Sequence, residues 1–116
     1  MKLIEQTCKP ILAATPPLTR DEAKTLSSEV LGWILGEKEL IREFRFRDFR
    51  EAMDFVNATA GIANNQDHHP DIAISYNKVR LTLSTHKIGG LSLNDFIVAA
   101  KVDALTERTV KKEKAA

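Results

Sequence analysis

Apolar residues recur at helical spacing in three stretches of this chain of 116 residues. Positions three or four residues apart lie on one face of a helix, so these stretches predict amphipathic helices. The predicted helices cover about 19–31, 48–63 and 92–105. Each starts at a pair suited to capping: Thr19 with Glu22, Asp48 with Glu51, and Ser92 with Asp95. Gly32 is expected to end the first helix.

Four extended segments separate these helices, at residues 33–36, 39–46, 71–77 and 79–85. Apolar and polar side chains alternate in the last two, and the Asn77-Lys78 turn between them predicts an antiparallel hairpin. In the second segment Phe44 and Phe46 share one parity, so both are expected to point into the core. The order α-β-β-α-β-β-α predicts an α+β fold, with a four-stranded antiparallel sheet and three helices packed on one face.

Chain length and composition indicate a single globular domain. We expect an N-terminal extension at 1–17, the domain at 18–107 and a basic C-terminal tail at 108–116. The net charge of +1 gives no general attraction to nucleic acid, and no apolar run approaches the roughly 20 residues that span a bilayer. The single cysteine, Cys8, is expected in a loose end and can form no internal disulfide. These features predict a cytoplasmic protein that binds neither nucleic acid nor membrane.

All three histidines of the chain lie in two short segments, Gln66–Asp71 and Ser84–Lys87. An unperturbed histidine has a pKa of about 6.5, so histidines that meet in one cleft would suit proton transfer near neutral pH. The predicted hairpin returns His86 towards the segment that carries His68 and His69. On residue type alone, a surface or purely structural role for these histidines stays open.

The adjacent pair His68 and His69 is not arranged as a simple metal chelate. Neighbouring residues of an extended chain point to opposite sides, so the two rings cannot reach one point without a kink. Pro70 restricts His69 to extended conformations and so limits the direction of its ring. A zinc site would also need carboxylates from nearby aspartates. We therefore expect no metal ion.

Several motifs, taken in order, resemble the pterin-4a-carbinolamine dehydratase family. They are Asp67-His68-His69-Pro70, Tyr76-Asn77-Lys78-Val79, Leu83-Ser84-Thr85-His86, and Gly90-Leu91-Ser92 followed by Asp95. Upstream, Gly32-Trp33 and the run from Phe44 to Phe49 are similar to the same family. The resemblance covers about residues 18–107, and its specificity comes from the order and spacing of the motifs together.

The resemblance implies an enzyme that removes water from 4a-hydroxytetrahydropterin and forms quinonoid dihydropterin, which recycles the cofactor of aromatic amino-acid hydroxylases. Such a reaction needs an acid and a base near neutral pH, and we expect no metal or redox cofactor of its own. The resemblance also implies assembly into homodimers or homotetramers. By resemblance, His68, His69 and His86 are the catalytic histidines. We expect His68 and His86 to form the acid–base pair, with His69 mainly binding the substrate. The other positions expected to contact the pterin are Asp67, Ser84, Thr85 and Lys87. Asp95 is a candidate to support the site without touching the substrate.

Two alternatives stay open beside this interpretation. Some members of the family bind a homeodomain transcription factor and stabilise its dimer, so a non-enzymatic interaction or coactivator role is one alternative. A dehydratase-like role in molybdopterin metabolism is the other. The sequence departs from the family at Asn64, where a charged residue is common, and at Ile72, where an aromatic residue is common. The second departure is expected to alter the wall of the pocket.

Overall fold

The structure, a computed structural model, describes the backbone of residues 1–115 and the side chains of residues 1–106. The helices and strands of this range are α1 (Arg20–Ser27), β1 (Ile34–Leu35), β2 (Leu40–Arg45), α2 (Phe49–Gln66), β3 (Asp71–Ser75), β4 (Lys78–Leu83) and α3 (Leu93–Ala115). Short 3-10 turns lie at Leu3–Glu5 and His86–Ile88. The strands form an antiparallel sheet in the order β1-β2-β4-β3. The α+β fold predicted from the sequence is confirmed.

The hydrophobic core lies between the helices and one face of the sheet. Val79 of β4 shares this core with Phe55 of α2 and Phe96 of α3. The rings of Phe44 and Phe46 both pack on Phe55, with centroids 4.6 Å and 5.0 Å from it. The prediction that Phe44 and Phe46 both point into the core is therefore confirmed. Burial of each such side chain stabilises the fold by about 1.5–3 kcal/mol.

Helix α1 is shorter than predicted, because it ends at Ser27 rather than near residue 31. The Ser28 hydroxyl donates a hydrogen bond to the Thr25 carbonyl (2.7 Å), and turns follow in place of further helix. The predicted stop at Gly32 is therefore wrong. Gly32 instead leaves room for the Arg42 guanidinium, which a side chain at position 32 would meet.

Helix α2 and the hairpin differ from the prediction by a few residues. Helix α2 continues to Gln66 instead of ending near 63, and it stops where Asp67 takes a left-handed backbone conformation (φ 51°). The turn of the hairpin is Tyr76-Asn77, one residue earlier than predicted, because Ser75 pairs with Lys78. Both strands of the hairpin are accordingly shorter than expected.

Strand β3 lies at an edge of the sheet and is exposed along its length. Ile72 pairs with Leu81 and Ile74 pairs with Val79, so both isoleucines face the side on which the helices pack. They are nevertheless 36% and 42% exposed. The helical layer therefore covers the centre of the sheet more completely than this edge.

The segment before α1 packs against the domain. Leu3 is 1% exposed and belongs to the core, and its N–H donates to the Glu29 carboxylate (3.2 Å). Cys8 is half-buried and packs against the same core, so the loose end expected around it is not found. These contacts give the N-terminal residues a fixed path over the surface of the domain.

Helix α3 carries the chain beyond the predicted domain. It continues as far as Ala115 and so includes most of the stretch predicted as a basic tail, 108–116, whose side chains lie outside the described residues. None of the helices within the described range has an apolar stretch long enough to cross a membrane.

Candidate active site

A cavity of about 400 Å³ opens where the ends of α2 and β4 meet the start of α3. Small-molecule sites commonly enclose about 300–1,000 Å³, so this space suits a compact ligand. The lining residues are Lys9, Pro10, Ile11, Asp67, His68, His69, Ser84, Thr85, His86, Lys87 and Asn94. The seven residues expected to contact substrate all lie in this lining. Ile72 does not, so the expectation that this position alters the pocket wall is wrong.

The end of α2 directs the first two histidines. Asp67 adopts the left-handed conformation, which aspartate tolerates better than most residues, and the chain reverses there. The His68 N–H donates to the carbonyl of Ala63 (3.1 Å) and closes the helix end. This kink allows His68 and His69 to line the same cavity, although adjacent residues of a straight strand would point apart.

The hairpin brings the third histidine to the same place. Asp71 pairs with Thr82, so the residues that follow β4 lie beside those that precede β3. His86 begins a 3-10 turn that ends at Gly89, whose φ of 68° suits glycine. The Thr85 N–H donates to the carbonyl of Gly90 (2.9 Å), which closes this loop beneath the histidine.

A buried carboxylate holds the ring of His68. Asp95 is completely buried, and its Oδ1 lies 2.6 Å from Nε2 of His68. Its other oxygen accepts from the Thr85 hydroxyl (2.8 Å) and the Ser92 N–H (2.9 Å). Since Thr85 has one hydroxyl proton, the Ser92 hydroxyl donates to Thr85 in turn (2.8 Å). Three converging donors satisfy a buried carboxylate that would otherwise be costly to desolvate.

His69 has a different partner. Its Nε2 lies 3.0 Å from Oδ1 of Asn64, which projects from the last turns of α2. The amide oxygen accepts a hydrogen bond, so the ring nitrogen facing it carries the proton. The departure from the family at position 64 therefore leaves His69 with a neutral partner, while His68 has an ionisable one.

Two of the expected contact residues use their hydroxyls elsewhere. The Ser84 hydroxyl donates to the carbonyl of Lys38 (2.9 Å), and the Thr85 hydroxyl belongs to the Asp95 network. The backbone of Thr85 also has partners, because its N–H donates to the Gly90 carbonyl and its own carbonyl accepts from the Ile88 N–H (3.1 Å). The His86 side chain is exposed and makes no hydrogen bond with any residue whose side chain is described.

A sequence model of the family described as pterin 4 alpha carbinolamine dehydratase matches residues 16–105. A protein of Nitrosospira multiformis is 47% identical over 103 residues, which are 89% of this chain and 91% of that protein. A protein of Rubrobacter xylanophilus is 46% identical over 105 residues, 90% of this chain and 98% of that protein. Both carry the name pterin-4-alpha-carbinolamine dehydratase as a provisional one. The chain belongs to this family, as its motifs predicted.

Two solved structures resemble the fold. The crystal structure of a transcriptional coactivator/pterin dehydratase from Brucella melitensis is similar with a TM-score of 0.72 and 34% identity, over 77% of this chain and 97% of that chain. A pterin dehydratase-like protein identified as a RuBisCO assembly factor in the alpha-carboxysome has a TM-score of 0.53 and 24% identity, over 63% of this chain and 84% of that chain. The second likeness concerns the fold alone.

Four residues of the cavity lining were not predicted from the sequence. Three of them, Lys9, Pro10 and Ile11, belong to residues 1–17, which were expected to form an N-terminal extension before the domain. The fourth, Asn94, lies next to Asp95 at the start of α3. No spacing rule connects these residues, because the segment before α1 has neither helical nor strand periodicity.

Proposed function

We propose that the protein is a 4a-hydroxytetrahydrobiopterin dehydratase that forms quinonoid dihydropterin and water. The observation that carries this proposal is the meeting of His68, His69 and His86 in one cavity, with His68 held by a buried carboxylate. Two acid–base groups and a third polar group at one small cleft suit a reaction that needs proton transfer at two neighbouring atoms.

The reaction requires one proton to be given and another to be taken. The 4a-hydroxyl becomes a good leaving group when it receives a proton, and the C4a–O bond then breaks. N5 loses its proton, and its electron pair forms the double bond between N5 and C4a. The released products are water and the quinonoid dihydropterin, so the proton balance closes when the acid and the base exchange protons with solvent.

His68 and His86 are the acid–base pair in this proposal. With Asp95 as a carboxylate, Nε2 of His68 carries the proton that is shared between them, and Nδ1 is the ring nitrogen left to exchange a proton with substrate. The carboxylate also stabilises the imidazolium that forms when His68 acts as a base. His86 supplies the opposite transfer, and the two exchange roles between the substrate epimers.

His69 is assigned to substrate binding. Its hydrogen bond to Asn64 fixes the ring without providing a charge that would stabilise an imidazolium. Asp67 and Lys87 supply further polar contacts, whereas the hydroxyls of Ser84 and Thr85 have other partners and these two residues mainly shape the lining of the cleft. Asp95 acts through His68 and is a positioning residue.

A non-enzymatic interaction role is less well supported. A protein that served only as a scaffold would need neither three histidines in one cleft nor a buried Asp95 bonded to one of them. The likeness to a protein described as both coactivator and dehydratase is compatible with either activity. A measurement of carbinolamine turnover distinguishes the enzymatic role from the interaction role.

The decisive experiment is turnover of 4a-hydroxytetrahydrobiopterin produced in situ by an aromatic amino-acid hydroxylase. We expect the wild type to accelerate dehydration, and His68→Ala and His86→Ala each to lower kcat/KM by about a hundredfold or more. His69→Ala should raise KM more than it lowers kcat. Wild-type kcat/KM in both His68→Ala and His86→Ala would refute the assignment, and an inactive wild type would refute the proposed function.

A further inference from the structure

Residues 8–11, here called the N-terminal strap, form part of the cavity although they lie far from the histidines in the sequence. Lys9, Pro10 and Ile11 line the same cavity as the histidines. Lys9 and Pro10 are exposed, and Ile11 is half-buried. The strap therefore presents a cation and an apolar surface to any ligand that occupies the cleft.

Two side chains of the domain hold the strap through its backbone. The buried side chain of Asn94 accepts from the Lys9 N–H (3.1 Å) and donates to the Lys9 carbonyl (2.7 Å). The Gln66 side chain accepts from the Cys8 N–H (2.8 Å). The Cys8 thiol donates to the backbone carbonyl of Asn94 (3.6 Å). A side-chain amide that satisfies both the N–H and the C=O of one residue positions that residue as a strand neighbour would.

The two anchors lie next to residues of the proposed site. Gln66 immediately precedes Asp67, and Asn94 immediately precedes Asp95. The elements that position the histidines thus also position the strap, so its distance from them is set by the fold. Because Gln66 contacts the backbone of Cys8 and Asn94 contacts the backbone of Lys9, the Lys9 side chain takes no part in these anchoring hydrogen bonds.

We propose that the N-terminal strap is a wall of the substrate site and that Lys9 is a specificity-determining residue, which binds an oxygen acceptor of the pterin. Among the residues with described side chains, none forms an ion pair with the Lys9 ammonium, so its donors are available to a ligand. A pterin carries the required oxygen on its ring and on a hydroxylated side chain. This inference rests on the proposed function for the identity of the ligand.

Lys9→Ala removes the ammonium and leaves the backbone anchors in place. We expect KM for the carbinolamine to rise about threefold to tenfold, as for one lost hydrogen bond, with kcat changed less than twofold. Lys9→Arg should restore most of the lost affinity. The matched control is Lys2→Ala, which removes a lysine of the same N-terminal segment that lines a different cavity and should leave KM unchanged.

Asn94→Ala tests the anchor separately. We expect KM to rise in the same direction, and iodoacetamide to modify Cys8 faster than in the wild type, because release of the strap exposes the thiol. Lys9→Ala should leave that modification rate unchanged, which distinguishes loss of a ligand contact from loss of the strap. Wild-type KM in both variants, with Cys8 exposed in Asn94→Ala, would overturn the inference.

Binding of 7,8-dihydrobiopterin by calorimetry separates this inference from the proposed function. If the wild type binds the pterin without turning over carbinolamine, the proposed function fails. Weaker binding by Lys9→Ala would then still support the inference that the strap and Lys9 contact the pterin. If the wild type turns over and Lys9→Ala binds and reacts like the wild type, the function stands and the strap inference fails. A wild type that neither binds nor reacts overturns both.

A substrate with a 6-methyl group in place of the hydroxylated side chain locates the acceptor. A rise in KM for Lys9→Ala that persists with this substrate supports a contact to the ring oxygen. A rise found only with the hydroxylated substrate supports a contact to the side chain. The absence of any rise with either substrate contradicts the role of Lys9.

Discussion

His68 and Asp95 lie 27 residues apart in the chain, yet Nε2 of His68 and Oδ1 of Asp95 are 2.6 Å apart. Asp95 is completely buried, and only 12% of the His68 side chain is exposed. A ring held in this way can reach a ligand with one nitrogen while the other is committed to the carboxylate. The contact with Asp95 therefore fixes the orientation of the His68 ring in the proposed catalytic machinery.

Asp95→Asn should weaken catalysis more than binding. The amide keeps the shape of the carboxylate but loses the charge that stabilises the His68 imidazolium, so we expect kcat/KM to fall about tenfold to a hundredfold, mostly in kcat. The pH profile of kcat should also change. The control is Asp54→Asn, which alters an exposed aspartate of α2. A variant with wild-type kcat and pH profile would contradict the positioning role.

Asn64→Ala should affect substrate binding through His69. Loss of the amide oxygen frees the ring of His69, so we expect KM to rise about twofold to tenfold with kcat retained. Asn64→Asp keeps an oxygen at this position and should stay closer to the wild type. Steady-state kinetics of both variants check the prediction, and an unchanged KM in Asn64→Ala would contradict the role of Asn64 in positioning His69.

Asp103→Ala should destabilise the fold. Oδ1 of Asp103 accepts from the Trp33 indole N–H (2.8 Å) and from the Arg42 guanidinium (2.7 Å), and both donors would lose this partner. We expect a loss of about 1–3 kcal/mol in the free energy of unfolding, measured by urea denaturation. The control is Glu43→Ala, which removes the exposed ion pair with Arg45 (3.6 Å) and should change stability by less than about 0.5 kcal/mol.

The thiol of Cys8 should react slowly in the folded protein. Burial raises the pKa of this thiol from 9.0 to about 11, with a smaller opposing effect from the Lys101 charge. Little thiolate is then present at neutral pH, and we expect iodoacetamide to modify the native protein far more slowly than the urea-unfolded chain. Cys8 is the single cysteine, so total alkylation measures it directly.

The same shift in the pKa of Cys8 has a consequence for stability. A thiol whose pKa is higher in the folded state keeps its proton where the unfolded chain has lost it. Its contribution therefore favours the native state below pH 9.0 and is lost as the pH rises to about 11. Cys8→Ala should show a smaller loss of stability than the wild type over that window in urea denaturation. Equal losses in the two proteins would contradict the burial of the thiol.

Local sequence signals predicted those features of the fold that depend on hydrogen bonds between residues close in the chain. The pair Thr19 and Glu22 makes the predicted capping box, and the Asp95 carboxylate accepts from the Ser92 N–H as its spacing indicated. The predicted length of helix α1 was wrong, because the Ser28 hydroxyl hydrogen-bonds to a backbone carbonyl at the end of the helix. The spacing of apolar residues carries no information about such a bond. The order of helices and strands and the family followed from the same local patterns.

Contacts between residues that lie far apart in the chain could not be predicted from these local patterns. The sequence placed Asp95 at a helix start, but packing of α3 against the end of α2 turned its second oxygen to His68. The strap follows the same rule, since Asn94 binds the backbone of Lys9 at a separation of 85 residues. Backbone N–H and C=O groups are alike at every residue, so such a contact leaves no signature in the sequence. The fold class and the two segments that carry the histidines could be predicted from the sequence. Packing determined that Asp95 holds His68 and that the N-terminal strap lines the cleft beside the histidines.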